Sequence, residues 1–267
     1  MKKVNLLKIL VAIFSIIFMS CTSERKSIEE KYPELVEAEN LFQTALNKTD
    51  QEKAEYFERS AIVLEQFIED NKIDNAYIFY NLGNSWFYAD QLGKAIYNYK
   101  KAERRKPSNS NIMNNLSFAR SFVIDTSESP QINPLIRTIF FLHFDLSFKS
   151  KFIILLILLF ITITSLILLM YGIKKGIKNI LFTVSLLIMF SVLSLTLDLL
   201  AKPEGVVTVP EIVARKGDSN GYESSFTSPL HEGIEFELIS VRNGWYHIEL
   251  CDGRQGWIPE YAAQIID

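Results

Sequence analysis

Two apolar runs without a single charge, Phe152 to Met170 and Ile180 to Leu197, leave this chain few options. The first has 19 residues, and at about 1.5 Å rise per residue a helix of that length covers the ~30 Å hydrocarbon core of a bilayer. The linker between them, Tyr171 to Asn179, allows only a tight turn. The runs are therefore expected as transmembrane helices at 152–171 and 179–199, joined in a hairpin. A hairpin returns the chain to the side it left, so the polar segments before and after it are expected in one compartment.

The start of the chain says which compartment. Met1-Lys2-Lys3 precedes a stretch that is apolar from 4 to 19 apart from Asn5, Lys8 and Ser15. A basic start, a short apolar run and a small residue describe a signal peptide over 1–20 and export from the cytoplasm. Cys21, directly after Ser20, resembles the lipobox cysteine of bacterial lipoproteins, which would be acylated; plain cleavage and an uncleaved anchor are the alternatives. Lys174, Lys175 and Lys178 crowd the hairpin turn and place it in the cytoplasm by the positive-inside rule, although Lys149, Lys151 and Lys202 flank the other ends. Asp198, closing the second run, is expected as an interfacial residue one turn from water rather than a proton relay.

Residues 22–130 have the opposite texture, polar and periodic. Helical segments are expected at 31–47, 51–71 and 75–106, the last broken at Asp90 to Gly93, with a further helix over Asn111 to Phe122. Small Gly83, Ala95 and Ala102 let two antiparallel helices approach closely, aromatic Phe79, Trp86 and Tyr99 fill the space between them, and Pro107 ends the second helix. With Leu82, these positions resemble the tetratricopeptide repeat. One repeat is clean; a degenerate pair upstream and the helix downstream make a short array, since stacked repeats bury their faces on neighbours.

In such arrays the first helix of each repeat lines a groove. The resemblance puts Tyr77, Tyr80, Asn84, Phe87 and Tyr88 there, joined by Asn111 and Asn114. Rings and amides suit peptide capture; packing against the first repeat is the plainer role. The cations Lys100, Lys101, Arg104, Arg105 and Lys106 are expected as a solvated helix end, favourable to the negative end of the dipole, with a nucleic-acid or lipid-headgroup patch as the other reading. The segment 134–148 is apolar but broken by Arg137, His143 and Asp145, and is expected at the membrane interface.

After residue 203 the pattern turns to short alternating strands with turn signals at Asn243-Gly244 and Asp252-Gly253. Residues 204–267 are expected to form one small barrel of five to six strands. Asn243-Gly244-Trp245-Tyr246 and Gly256-Trp257-Ile258-Pro259 resemble the bacterial SH3 domain. Tyr222, Trp245, Tyr246, Trp257 and Tyr261 would then offer an aromatic surface for an extended peptide, with Trp245 and Trp257 equally readable as half-buried barrel residues. Residues 201–267 hold 11 acids and 5 bases, so this domain should avoid acidic polymers. Cys251 is expected as buried packing in a strand, and no disulfide is expected. His231 and His247 lack ligand-spaced partners, so neither a metal nor a cofactor is expected.

The order of parts, with Tyr80 to Trp86 and Asn114 to Arg120 as its most telling segments, resembles the BatE-type members of the aerotolerance (Bat) family of Bacteroidetes-type bacteria. The fold this implies is multidomain: all-α tetratricopeptide-type repeats, two transmembrane helices and a C-terminal all-β SH3-like barrel. The resemblance implies an inner-membrane protein with both soluble domains periplasmic, acting as a non-catalytic scaffold for envelope proteins, von Willebrand-type Bat partners among them. Peptidoglycan binding by the barrel is the alternative. A formal net charge of −3 excludes a generally basic nucleic-acid-binding surface. Three scattered histidines, a lone Cys251 and no phosphate loop give no basis for an enzyme.

Overall fold

The computed structural model describes residues 31–125, 133–170 and 176–266. These are mostly helical, with a C-terminal antiparallel sheet and two long apolar helices. The expected signal peptide, Cys21, and Lys174 and Lys175 of the hairpin turn lie outside the described residues. The chain divides into two compact units, Met1–Asp74 and Asn75–Asp267.

In the first unit, α1 (Pro33–Ala45) and α2 (Asp50–Asn71) pair. Pro33 opens α1, where its missing N–H costs nothing. Ala38, Ala45 and Ala61 are buried and small, which brings the helices close enough for the Ser60 hydroxyl to donate to the Ala38 carbonyl at 2.8 Å. Phe42 meets Phe57 edge-on at 4.8 Å.

The second unit begins with α3 (Ala76–Tyr88), α4 (Leu92–Arg105) and α5 (Ser110–Arg120). The break expected near residue 90 is present, with Asp90 in the left-handed region at φ 58°; Gly93 belongs to α4 instead. Helices α3 and α4 run antiparallel: the Lys94 ammonium lies 3.9 Å from the Trp86 ring centre, Gly83 faces Tyr99, and Lys106 reaches Tyr77. A Cβ on Gly83 would stand 2.6 Å from the Tyr99 ring, so only glycine admits this crossing. Phe79, Leu82, Trp86, Ala95, Tyr99 and Ala102 are buried between the layers, and Pro107 follows the end of α4.

Two short helices, α6 (Pro134–Ile139) and α7 (Phe141–Phe144), lead into α8 (Phe148–Met170) and α9 (Ile177–Leu200). The last two are long and apolar enough to cross a membrane. Lys151, Leu158 and Ser165 are buried on α8, and Ile177, Val184 and Ser191 on α9. This spacing of seven, to which Ser194 and Leu195 add buried positions three and four residues after Ser191, marks a seam of the left-handed coiled-coil kind, with serines where the helices meet closely.

The sheet comprises β1 (Glu204–Val207), β4 (Glu235–Arg242), β5 (Trp245–Leu250), β6 (Gln255–Pro259) and β7 (Ala263–Ile266), in the order β6-β5-β4-β1-β7 and antiparallel throughout. A separate pair holds β2 (Glu211–Ile212) and β3 (Leu230–His231). Seven strands in two sheets thus replace the expected five to six. The β4–β5 hairpin turns on Asn243 and Gly244, at φ 53° and 76°, the left-handed pair a two-residue turn needs. Phe236, Ile248, Leu250 and Ile258 form the core with Val207 and Ile234. Cys251 corrects its expectation: Leu250 takes the last inward position of β5, and Cys251 is exposed in the turn that follows.

Candidate functional site

The expected groove residues separate into two groups. Tyr80 and Asn84, one turn apart on α3, are half-buried and tied into the helix stack. The Asn84 Oδ1 accepts from the Tyr99 hydroxyl and from Asn115 Nδ2, both at 2.8 Å, and the same Asn115 amide donates to the Tyr80 hydroxyl at 3.1 Å. Burial raises the Tyr99 pKa. This polar knot fastens α3 to α4 and α5, so Asn84 is a strut rather than an open peptide ligand. The amide that α5 contributes is Asn115; Asn114 and Asn111 are exposed. Side chains of adjacent residues on a helix point about 100° apart, and an Asn-Asn pair gives periodicity no means of choosing between them.

Farther along α3 the surface is apolar. Phe87 meets Phe118 and Phe122 at 5.7 Å each, Phe118 meets Phe122 edge-on at 5.0 Å, and Tyr88 lies 5.7 Å from Phe87. Phe118 and Phe122 are 58% and 53% exposed, which makes a shelf of rings open to solvent. Phe118 stands on α5 and Phe122 in the turn that follows it, and their spacing of four in the chain is the sequence signal that pairs them. Tyr77 is exposed at the other end, its hydroxyl accepting from Lys106 Nζ at 3.0 Å.

The five aromatics of the sheet do not form one surface. Strand alternation and register place Trp245, His247 and Trp257 on one face, opposite Tyr246, which packs against the core beside Ile248 and Leu250. Tyr246 therefore leaves the expected peptide surface. Trp257 is half-buried, with His247 stacked on it at 4.6 Å and the Arg242 guanidinium 4.8 Å from its ring centre. Burial, and then Arg242, lower the His247 pKa. Trp245 is half-buried, Tyr222 is exposed over Gly217, and Tyr261 is exposed on the 3-10 turn before β7.

The basic run of α4 departs most from expectation. Two of its members, Lys100 and Arg104, dock the helices onto the sheet. Lys100 is buried and its ammonium lies 2.7 Å from Glu204 and 2.9 Å from Glu235. Arg120 of α5 donates to both oxygens of Glu235, at 2.6 and 2.8 Å, and Arg104 donates to the Ile266 carbonyl at 2.8 Å. Burial alone would push the Glu235 carboxyl up, but Arg120 and Lys100 outweigh it and hold the group at about 2. The Gly93 amide donates to Glu232 at 2.9 Å, and a Cβ there would meet the Val207 carbonyl. Asp125 accepts from the His231 amide at 2.7 Å, with the imidazole Nδ1 at 3.2 Å. The expectation of a solvated helix end holds for exposed Arg104 and Lys106 and is corrected at Lys100, whose partner Glu235 lies 135 positions away.

A second charge cluster closes the mouth of the hairpin. Lys151 is buried, with its ammonium 2.7 and 2.9 Å from the Asp198 oxygens. His143 of α7 stands with Nδ1 2.9 Å from the Ser194 hydroxyl and 3.4 Å from Lys151 Nζ. Asp198 is thus an ion-pair partner at the end of the seam, a quarter exposed and two residues from the end of α9. Phe140 stacks on Phe190 at 5.9 Å, which holds the short helices to α9.

Among the described residues no group of three or more His, Cys, Asp or Glu side chains could hold a metal ion. No protein-family model matches the chain, and no curated protein matches it.

Proposed function

We propose that this chain is a membrane-anchored, non-catalytic scaffold of the BatE type that gathers envelope proteins on its helical surface, from the periplasmic side of a bacterial inner membrane. The observation that carries the reading is the shelf of Phe87, Phe118 and Phe122. Exposed rings in one patch mark an interaction surface, and this one stands on helices that the polar knot and the sheet hold rigid. The tetratricopeptide-type assignment is supported by the glycine contact of Gly83 on Tyr99 and by the burial of Ala95 and Ala102. The SH3-like assignment is supported by the five-stranded antiparallel order and its Asn-Gly hairpin. Peptidoglycan binding by the sheet has less support, because Tyr246 faces the core and Trp257 is partly covered.

The test replaces the exposed rings. Phe118→Ala with Phe122→Ala should leave the melting temperature of the full chain in detergent nearly unchanged, since exposed substitutions cost no more than about 0.5 kcal/mol each. Crosslinked partners recovered from native membranes should fall by more than about tenfold. Retention of every partner by a folded double variant would remove the shelf from the proposal.

A further inference from the structure

A cavity of about 350 Å³ opens where the end of α4 meets the start of α8, lined by Arg105, Lys106, Ser108, Asn109, Ser147 and Ser150. We infer that it binds the phosphodiester headgroup of an anionic membrane phospholipid. The assignment rests on α8 and α9 crossing the bilayer, and not on what the helical shelf binds.

Depth is the first reason. Ser147 and Ser150 stand at the beginning of α8, and the uncharged run that fits the hydrocarbon core starts at Phe152. The cavity therefore lies at headgroup level. Exposed Phe140, Phe141 and Phe148 occupy the same end of the hairpin, where acyl chains would continue from a bound headgroup.

Chemistry is the second. Two cations enter from the soluble side, and both are held in place. Arg105 donates to the Lys101 carbonyl at 2.9 Å with its guanidinium 4.5 Å from the Phe79 ring centre, and Lys106 donates to the Tyr77 hydroxyl at 3.0 Å. The membrane side offers hydroxyls and a helix start. The Ser147 hydroxyl accepts from the Ser150 amide at 3.3 Å and lies 3.0 Å from the Ser150 hydroxyl. The first amides of a helix have no partner within it and favour an anion. Asp145 also lines the cavity, and Arg137 engages it at 3.0 and 3.3 Å, which offsets its charge. The volume suits a headgroup and not a whole lipid.

The experiment uses the full chain extracted in mild detergent. Native mass spectrometry compares retention of phosphatidylglycerol with that of phosphatidylcholine bearing the same acyl chains. Phosphatidylglycerol should be preferred by about tenfold or more, as expected of two adjacent cations at headgroup level. Ser108→Glu puts a carboxylate at the cavity wall and should abolish the preference with the melting temperature unchanged; Lys178→Gln, at the opposite end of the hairpin, should leave it intact. Should Ser108→Glu fail to fold, Lys106→Gln is read in the same way. Equal retention of the two lipids, or a preference that survives in the folded variant, overturns the inference. So does displacement of phosphatidylglycerol by millimolar inorganic phosphate, which would make the cavity a free-anion site. Carbonate extraction of native membranes checks the spans separately: release of the chain would count against α8 and α9 as spans and leave the shelf proposal standing.

Discussion

Two buried charge clusters hold the second unit together, and they are built differently. At the junction of helices and sheet, Glu235 is embraced by Lys100 and Arg120, with Glu204 sharing Lys100. At the mouth of the hairpin, Asp198 has one close cation, Lys151, with His143 3.7 Å away. Burial, and then Lys151, lower the His143 pKa, so that ring contributes little positive charge at neutral pH. The Glu235 side chain is 15% exposed and that of Asp198 25%. The junction is a network in which each charge has company; the hairpin cluster is a single pair that water reaches. A buried pair adds little over an apolar replacement, but removing one partner strands the other. The network should therefore be the more damaging one to cut.

The largest effect is expected for Glu235→Gln. It leaves Arg120 facing an uncharged amide and Lys100 with Glu204 as its carboxylate, and loss of one partner from a buried pair costs about 3–5 kcal/mol. Thermal unfolding of the full chain in detergent, followed by tryptophan fluorescence in a Trp86→Phe background so that Trp245 and Trp257 report, should begin in the sheet at a much lower temperature. An unchanged melt would mean that the network is ornamental.

Acid should do the same more gradually. The Glu235 carboxyl is held at about 2 against an ordinary 4.5. A depressed carboxyl contributes stability that is complete above the unfolded value and disappears as pH falls through the folded one. About 3 kcal/mol should be lost between pH ~4.5 and pH ~2. The Glu235→Gln protein should lack that share of the slope in the same window, and equal slopes in the two proteins would assign acid sensitivity elsewhere.

The smallest effect is expected at the hairpin. Lys151→Ala should cost about 1–3 kcal/mol, because water can solvate the Asp198 carboxylate left behind. Pairing it with Asp198→Asn should recover part of the loss, since neither charge is then stranded. A melting series of the single and double variants measures the coupling. A cost equal to that at Glu235 would end the distinction between the clusters.

Much of the scaffold was legible in the chain. The start of α3 at Asn75, whose side chain accepts from the Tyr77 amide, the stop before Pro107, the small residues at 83, 95 and 102 and the Asn243-Gly244 turn are local signals set by backbone geometry and close packing. The two long apolar helices were legible for a similar reason, because length and hydropathy alone decide whether a helix is able to cross a bilayer. Even the inward position of Tyr246 follows from alternation once Ile248 and Leu250 are taken as core.

What only the tertiary structure decided is which distant groups meet. Lys100 and Glu235 are 135 positions apart, Lys151 and Asp198 are 47, and Tyr80 and Asn115 are 35. Periodicity repeats every two residues in a strand and every 3.6 in a helix, so it assigns a residue to a face but not to a partner. A run of cations on a helix reads the same whether water or a carboxylate covers it. For Lys100 this was fixed when the sheet, which follows two long apolar helices in the chain, brought Glu204 and Glu235 against α4 and made burial without pairing too costly.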